Sequence, residues 1–110
     1  MDVWNPEAYD GEFNGYTLRV YLNSVVLDSN WTNVDAAIYY GSVVADTYLA
    51  QPGFLRFFQV AVDDGVSILS IVLFTDPDTD AVADDAITAL VARDDAWVNN
   101  TETASVTITY

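Results

Sequence analysis

The stretch 49–58, LAQPGFLRFF, decides the fold. A helical pattern runs into Gln51, halts on Pro52-Gly53, and an aromatic, apolar run begins at Phe54. Pro52 disfavours a helical conformation at Gln51 and has no amide hydrogen for another turn. Gly53 is expected to take a positive φ and reverse the chain without steric cost. A helix therefore ends and a strand starts within two residues.

Downstream, FLRFFQVAV (54–62) and VSILSIVLF (66–74) flank Asp63-Asp64-Gly65, a hairpin signal. Both strands are apolar on both faces. In the second, Val66, Ile68, Val72 and Phe74 point one way, while Leu69, Ile71 and Leu73 point the other. A sheet with one face in water alternates more cleanly, so something is expected to cover the second face. Upstream, Val34, Ala37, Ile38, Gly41, Ala45, Tyr48 and Leu49 recur at helical spacing, predicting a helix over about 31–50. Asn30 or Ser29 is the expected cap, with Asp35 at the positive end of the dipole.

Before that helix, YTLRVYLNSVV (16–26) is β-branched and aromatic and reads as a strand. Leu18, Val20 and Leu22 share one face, and Arg19, Tyr21 and Asn23 share the other. Parity alone does not say which face meets a pocket. Residues 1–15 mix Pro, Gly and Asn without a sustained period and read as an irregular arm; 16–110 is the folded domain. After the hairpin, Val82, Ala86, Ile87, Leu90, Val91 and Trp97 predict a second helix over about 79–96. Asp78 or Thr79 is its expected cap, and Asp80 complements its dipole. DPDTD (76–80) has the spacing that opens a calcium loop. Ala81 stands where the loop needs Gly and Ile87 where it needs Glu, so no metal is expected there. TASVTITY (103–110) is the last strand. Strand, helix, strand, strand, helix, strand is the ferredoxin-like plan of an α+β sandwich.

At 110 residues the chain can bury one core. Its 52% hydrophobic content argues against disorder. No apolar run is long enough for a membrane helix, and no signal-peptide order opens the chain, so a soluble, cytoplasmic protein is expected. Seventeen acidic residues face three arginines, with no Lys and no His, for a net charge of −14. Such a surface repels phosphate backbones and anionic lipids, excluding nucleic-acid and membrane partners. Fourteen Asp without Lys resemble proteins of salt-accumulating halophiles, where screening relieves self-repulsion. Without His or Cys there is no His-assisted nucleophile and no zinc site of the usual kind. Carboxylates, Tyr phenols, Arg, amides and the substrate's own chemistry remain.

LAQPGFLRFFQV, the short acidic turn, ILSIVLFTDPDTDAV and the AWV after the second helix together resemble antibiotic-biosynthesis-monooxygenase-like domains, the dimeric α+β barrel family. The similarity covers about residues 16–110. It implies a homodimer in which two four-stranded sheets pack face to face, which would cover the doubly apolar strands. Members of that family include cofactor-free oxygenases of polycyclic quinols, haem-degrading enzymes, and small stress-induced proteins. The haem-degrading branch uses an Asn on the first strand, a Trp late in the third and a His on the second helix. Asn23 fits the first place, Phe74 stands at the second, and the chain has no His, so that branch is excluded. The quinol branch uses Asn, Trp, Tyr and Arg to hold a phenolic substrate and assist its deprotonation. The resemblance thus implies Arg19, Tyr21 and Asn23 as catalytic candidates, and Trp97, Arg56 and Phe74 as substrate contacts, with no metal or cofactor.

Structural roles compete with each of these. Arg19 can pair with an Asp, Tyr21 can pack at a dimer interface, and Asn23 can end its strand. Arg56 can bind an anionic ligand or pair with a carboxylate, even across a dimer. Asp63-Asp64, Asp84-Asp85 and Asp94-Asp95 read as solvated turns or helix faces. Two functions are carried forward: a cofactor-independent oxygenase of a small aromatic or quinol-like substrate, and a non-enzymatic dimer with a small-ligand-binding or stress-related role.

Overall fold

The computed structural model describes residues 1–25, 32–91 and 98–109. Five strands, β1 (Asp2–Trp4), β2 (Thr17–Val25), β3 (Phe54–Ala61), β4 (Ser67–Phe74) and β5 (Val98–Thr107), make one antiparallel sheet in the order β1-β3-β4-β2-β5. Helices α1 (Asn33–Leu49) and α2 (Pro77–Val91) cover one side. The order β5-β2-β4-β3 is that of the ferredoxin-like plan, and the α+β reading holds. The N-terminal arm is less irregular than expected. Its first residues pair with Arg56–Phe58 of β3, and Asn5 donates its side-chain amide to the Phe54 carbonyl at 3.1 Å.

The Pro-Gly junction works differently from the sequence expectation. Gly53 does not adopt a positive φ. It is glycine because a Cβ there would lie 2.5 Å from Thr79 Oγ1, 2.8 Å from Thr75 Oγ1 and 2.9 Å from Asp76 Oδ2. The end of α1 therefore abuts the start of α2, and Thr75 donates its amide to the Gly53 carbonyl at 2.8 Å. Gly65, in the hairpin turn, does take φ +76°.

Caps also shift by a few residues. Thr32 and Asp35 form a reciprocal capping box at α1, in place of Asn30 or Ser29, which lie outside the described residues. Asp76 accepts the Thr79 amide at 2.7 Å and caps α2, in place of Asp78 or Thr79. The caps restrain the helices, but packing sets their rotation. Along α1 the buried face is Asn33, Ala36, Tyr40, Gly41, Ala45 and Tyr48, while Val34, Ile38 and Leu49 of the expected stripe are exposed. Gly41 lets α1 sit close on β3, since a Cβ there would meet Gln59 Oε1 at 2.8 Å. On α2, Asp80, Ala83 and Ile87 are buried, and Val82 is exposed.

The core is an aromatic cluster: Tyr48 stacks on Phe54 at 5.7 Å and meets Phe57 and Phe74 at 5.1 and 5.8 Å. Among the described residues, no helix covers the other side of the sheet. Phe58, Ile71 and Val20 stand in one row across β3, β4 and β2, flanked by Val60, Leu69 and Leu22. Phe58 and Val60 are about 40% exposed, and the rest of these rows are half-buried. An uncovered face of this character is uncommon on a monomer.

Candidate functional site

Register places a polar row on the helix-covered side of the sheet. Tyr21 pairs with Ser70, and Ser70 with Gln59; all three are buried under the helices. Asn23 follows Tyr21 on the same face, opposite Ile68. Tyr40, Val44 and Tyr48 from α1 and Ile87 from α2 close over this row, leaving a cavity of about 30 Å³. That volume suits one water molecule, and the lining is polar enough to hold it. Asn23 Oδ1 is fully buried and has no hydrogen-bond partner, a state shared among the described residues by Thr17 Oγ1. A buried acceptor without a donor carries a desolvation cost that a bound group would relieve.

Beside the cavity, Arg19 clasps α2 to β2. Its Nε donates to Asp80 Oδ1 at 2.9 Å and its Nη2 to Asp80 Oδ2 at 2.8 Å, a two-pronged pairing on a buried carboxylate. Nη1 donates to Thr103 Oγ1 at 3.1 Å and stands 3.9 Å from Asp84 Oδ1. Asp84, one turn beyond Asp80, accepts the Tyr21 hydroxyl at 2.7 Å. The hydrogen bonds to Asp80 hold the Arg19 guanidinium even more firmly protonated than usual. Burial pushes the Tyr21 phenol well above its ordinary range, and the hydrogen bond to Asp84 and the nearby Tyr48 add to the rise. Tyr48 is raised for the same first reason, burial. Both phenols are therefore neutral hydrogen-bonding groups at neutral pH and neither is a resting base.

Of the residues expected from sequence, the structure brings together Arg19, Tyr21 and Asn23, on the face toward the helices. Phe74 lies beneath them in the aromatic core, against Tyr48 and Phe54, and does not line the cavity. Arg56 is on the opposite, bare face. It pairs with Asp2 at 2.6 and 2.9 Å and lies over the Trp4 ring at 5.0 Å, so the carboxylate it finds is in its own chain. Trp97 lies outside the described residues. The sequence reading missed Asp84, read as a solvated helix face, and the cross-strand pair Gln59 and Ser70. The available signal was two polar residues inside otherwise apolar strands. Among the described residues no cluster of carboxylates is placed to hold a metal ion, and no helix is long and apolar enough to cross a membrane.

No protein-family profile matches the sequence, and no curated protein does. Among solved structures the chain is similar to SnoaB, a cofactor-independent oxygenase from Streptomyces nogalater. The TM-score is 0.64 at 20% identity, over 87% of this chain and 95% of that one. A variant of the same oxygenase with an asparagine replaced by alanine gives 0.60 at 21% identity, over 86% and 93%. MupZ from Pseudomonas fluorescens gives 0.66 at 12% identity, over 88% and 71%. The likeness is one of fold, and at that level the resemblance to antibiotic-biosynthesis-monooxygenase-like domains holds.

Proposed function

We propose that the chain is a cofactor-independent oxygenase that takes a small aromatic, quinol-like substrate between its helices and sheet, and that it works as a homodimer joined through the bare sheet faces. One observation carries the proposal: Asn23, whose Oδ1 is buried without a partner, and Tyr21, whose hydroxyl is bound to Asp84, both line one cavity, in a fold that a cofactor-independent oxygenase also uses. A phenolic substrate supplies its own electron density to dioxygen once its proton is drawn off, so this chemistry fits a chain without His, Cys or Lys. Asn23 and Tyr21 would touch the substrate. Arg19 is already engaged by Asp80 and Thr103, and so acts as a positioning residue for Tyr21 and Asp84. The acidic composition supports a cytoplasmic setting in a salt-accumulating cell.

A second reading, a ligand-binding dimer without turnover, is favoured by the neutral state in which burial holds Tyr21 and Tyr48, which leaves neither as a resting base. About 30 Å³ admits a water and not a ring, so an aromatic guest requires Ile87 or Tyr40 to swing aside. Oxygen uptake separates the two. The proposal expects consumption above a buffer control with at least one member of a hydroquinone panel, lost in Asn23→Ala. Binding without uptake across the panel supports the second reading.

A further inference from the structure

We infer that the groove between α1 and β3 is the second half of the ligand site, holding the linear alkyl tail of a phenol whose ring lies in the cavity. The inference rests on the site proposed above and adds a second subsite to it. The groove has a volume of about 280 Å³. Val34, Ala37 and Ile38 line it from α1, Ala61 from β3, and Met1 from the residue ahead of β1. Among the described residues that line it no side chain is charged, and Ser42 and Gln59 are the polar ones. Val34 and Ile38 are 53% and 65% exposed. Large apolar side chains left to solvent along a groove mark a place where apolar matter binds.

The wall that the groove shares with the cavity identifies the occupant. Gln59 lines both spaces. Its buried side chain rests on Gly41 of α1, where a Cβ would lie 2.8 Å from Gln59 Oε1 and 3.0 Å from Met1 Cε. At this point the partition is two unbranched side chains laid on a helix position that has none. The Met1 nitrogen donates to the Gln59 carbonyl at 3.1 Å, and the Gln59 amide donates to the Met1 carbonyl at 2.9 Å. The backbones are thus fastened while the two side chains keep their rotatable bonds, and a thioether adapts readily to a new neighbour. With the Gln59 side chain turned aside, cavity and groove become one space of about 300 Å³, the lower end of the range for small-molecule sites. A polymethylene chain is as slender as the side chain it displaces and fits the slot against Gly41. A ring or a branched tail does not. The phenol head then stays with Tyr21 and Asn23, and the tail lies against Met1, Val34 and Ile38.

The test is calorimetry with phenol, 4-ethylphenol, 4-butylphenol and the branched isomer 4-tert-butylphenol. Affinity is expected to rise about threefold per methylene along the linear members, as burial of each methylene allows. The branched isomer should bind at least about fivefold more weakly than 4-butylphenol, although its carbon count is the same. Val34→Asn with Ile38→Asn carries the control, since both side chains are exposed and lie outside the core. That double variant should lose most of the gain from phenol to 4-butylphenol and keep the affinity for phenol. A gain that persists in the double variant, or equal binding of the two butyl isomers, overturns the inference. So does a change of mass by light scattering in the double variant, which would give the groove to a second copy. Should circular dichroism show that variant unfolded, the two isomers on the wild-type protein decide. Binding of phenol with no gain from the tail removes the groove and leaves the cavity. Binding of no member of the series removes the site and the inference together.

Discussion

At the scale of single residues, Arg19 and Asp80 are the pair on which the placement of α2 turns. Their side chains are 13% and 6% exposed, so removing one partner strands a charge in a poorly solvated place. Arg19→Leu is expected to cost about 3 kcal/mol in denaturant unfolding, while the double variant with Asp80→Leu recovers most of it, because two apolar groups leave nothing unpaired. A double variant no more stable than Arg19→Leu would contradict this. The tyrosines give a pH prediction. Burial raises Tyr21, Tyr48 and Tyr16 above the unfolded value, so folding favours their neutral forms. The stability this supplies is complete below about pH 10 and is lost as pH rises through the folded values. Phenolate absorbance at alkaline pH should therefore show these tyrosines ionising together with the loss of circular dichroism. Ordinary titration near pH 10 with the fold intact would be the contrary result.

At the scale of elements, the sequence made the order of strands and helices legible, because Pro52-Gly53 and Asp63-Asp64-Gly65 punctuate strongly periodic segments. It did not make the rotation of the helices legible. Counting apolar residues favoured Val34 and Ile38 on α1 and Val82 on α2, yet these face water. The faces that turn inward carry two tyrosines, small residues and Asp80, since Gly41 allows close approach and Arg19 supplies a partner for the carboxylate. Hydrophobic spacing contains neither piece of information. The candidate site was legible to the extent that it sits on one face of β2: Arg19, Tyr21 and Asn23 share it. Asp84 and the Gln59–Ser70 pair depend on register and helix rotation, and they were not. The Gly53 junction supplies the prediction at this scale. Gly53→Ala should destabilise the protein by about 1–3 kcal/mol, because the added methyl strikes the short Thr75, Asp76 and Thr79 side chains that cap α2. A melting temperature equal to wild type would show that the α1–α2 junction yields freely. If positive φ were the reason for glycine, Gly53→Asn would be tolerated better than Gly53→Ala; the close approach makes Asn the worse substitution.

At the scale of the molecule, one face of the sheet is largely apolar. On the bare side of β1, β3, β4 and β2, the charged residues are Asp2 and Arg56, and these neutralise one another. The net charge of −14 opposes contact between copies in general, and the neutralised Asp2–Arg56 pair leaves little repulsion across this face. Two copies meeting sheet to sheet would bury Phe58, Val60, Leu69 and Ile71, and would enclose a depression beside Val20, Leu22 and Ala104. Light scattering in molar salt is expected to return the mass of a dimer, and a monomer at micromolar concentration would remove this arrangement. Salt should also raise the melting temperature, as the Debye length shrinks from ~30 Å at 0.01 M to ~3 Å at 1 M. Equal melting in both would show that self-repulsion does not limit the fold. The account stands most directly on where a ligand binds: beneath the helices, or on the bare sheet face. A crystal of the protein soaked with hydroquinone answers it. The account predicts ring density between the helices and the sheet, with a hydroxyl against Tyr21 and Asn23 and Ile87 or Tyr40 displaced; density only in the depression at Val20, Leu22 and Leu69 would contradict it.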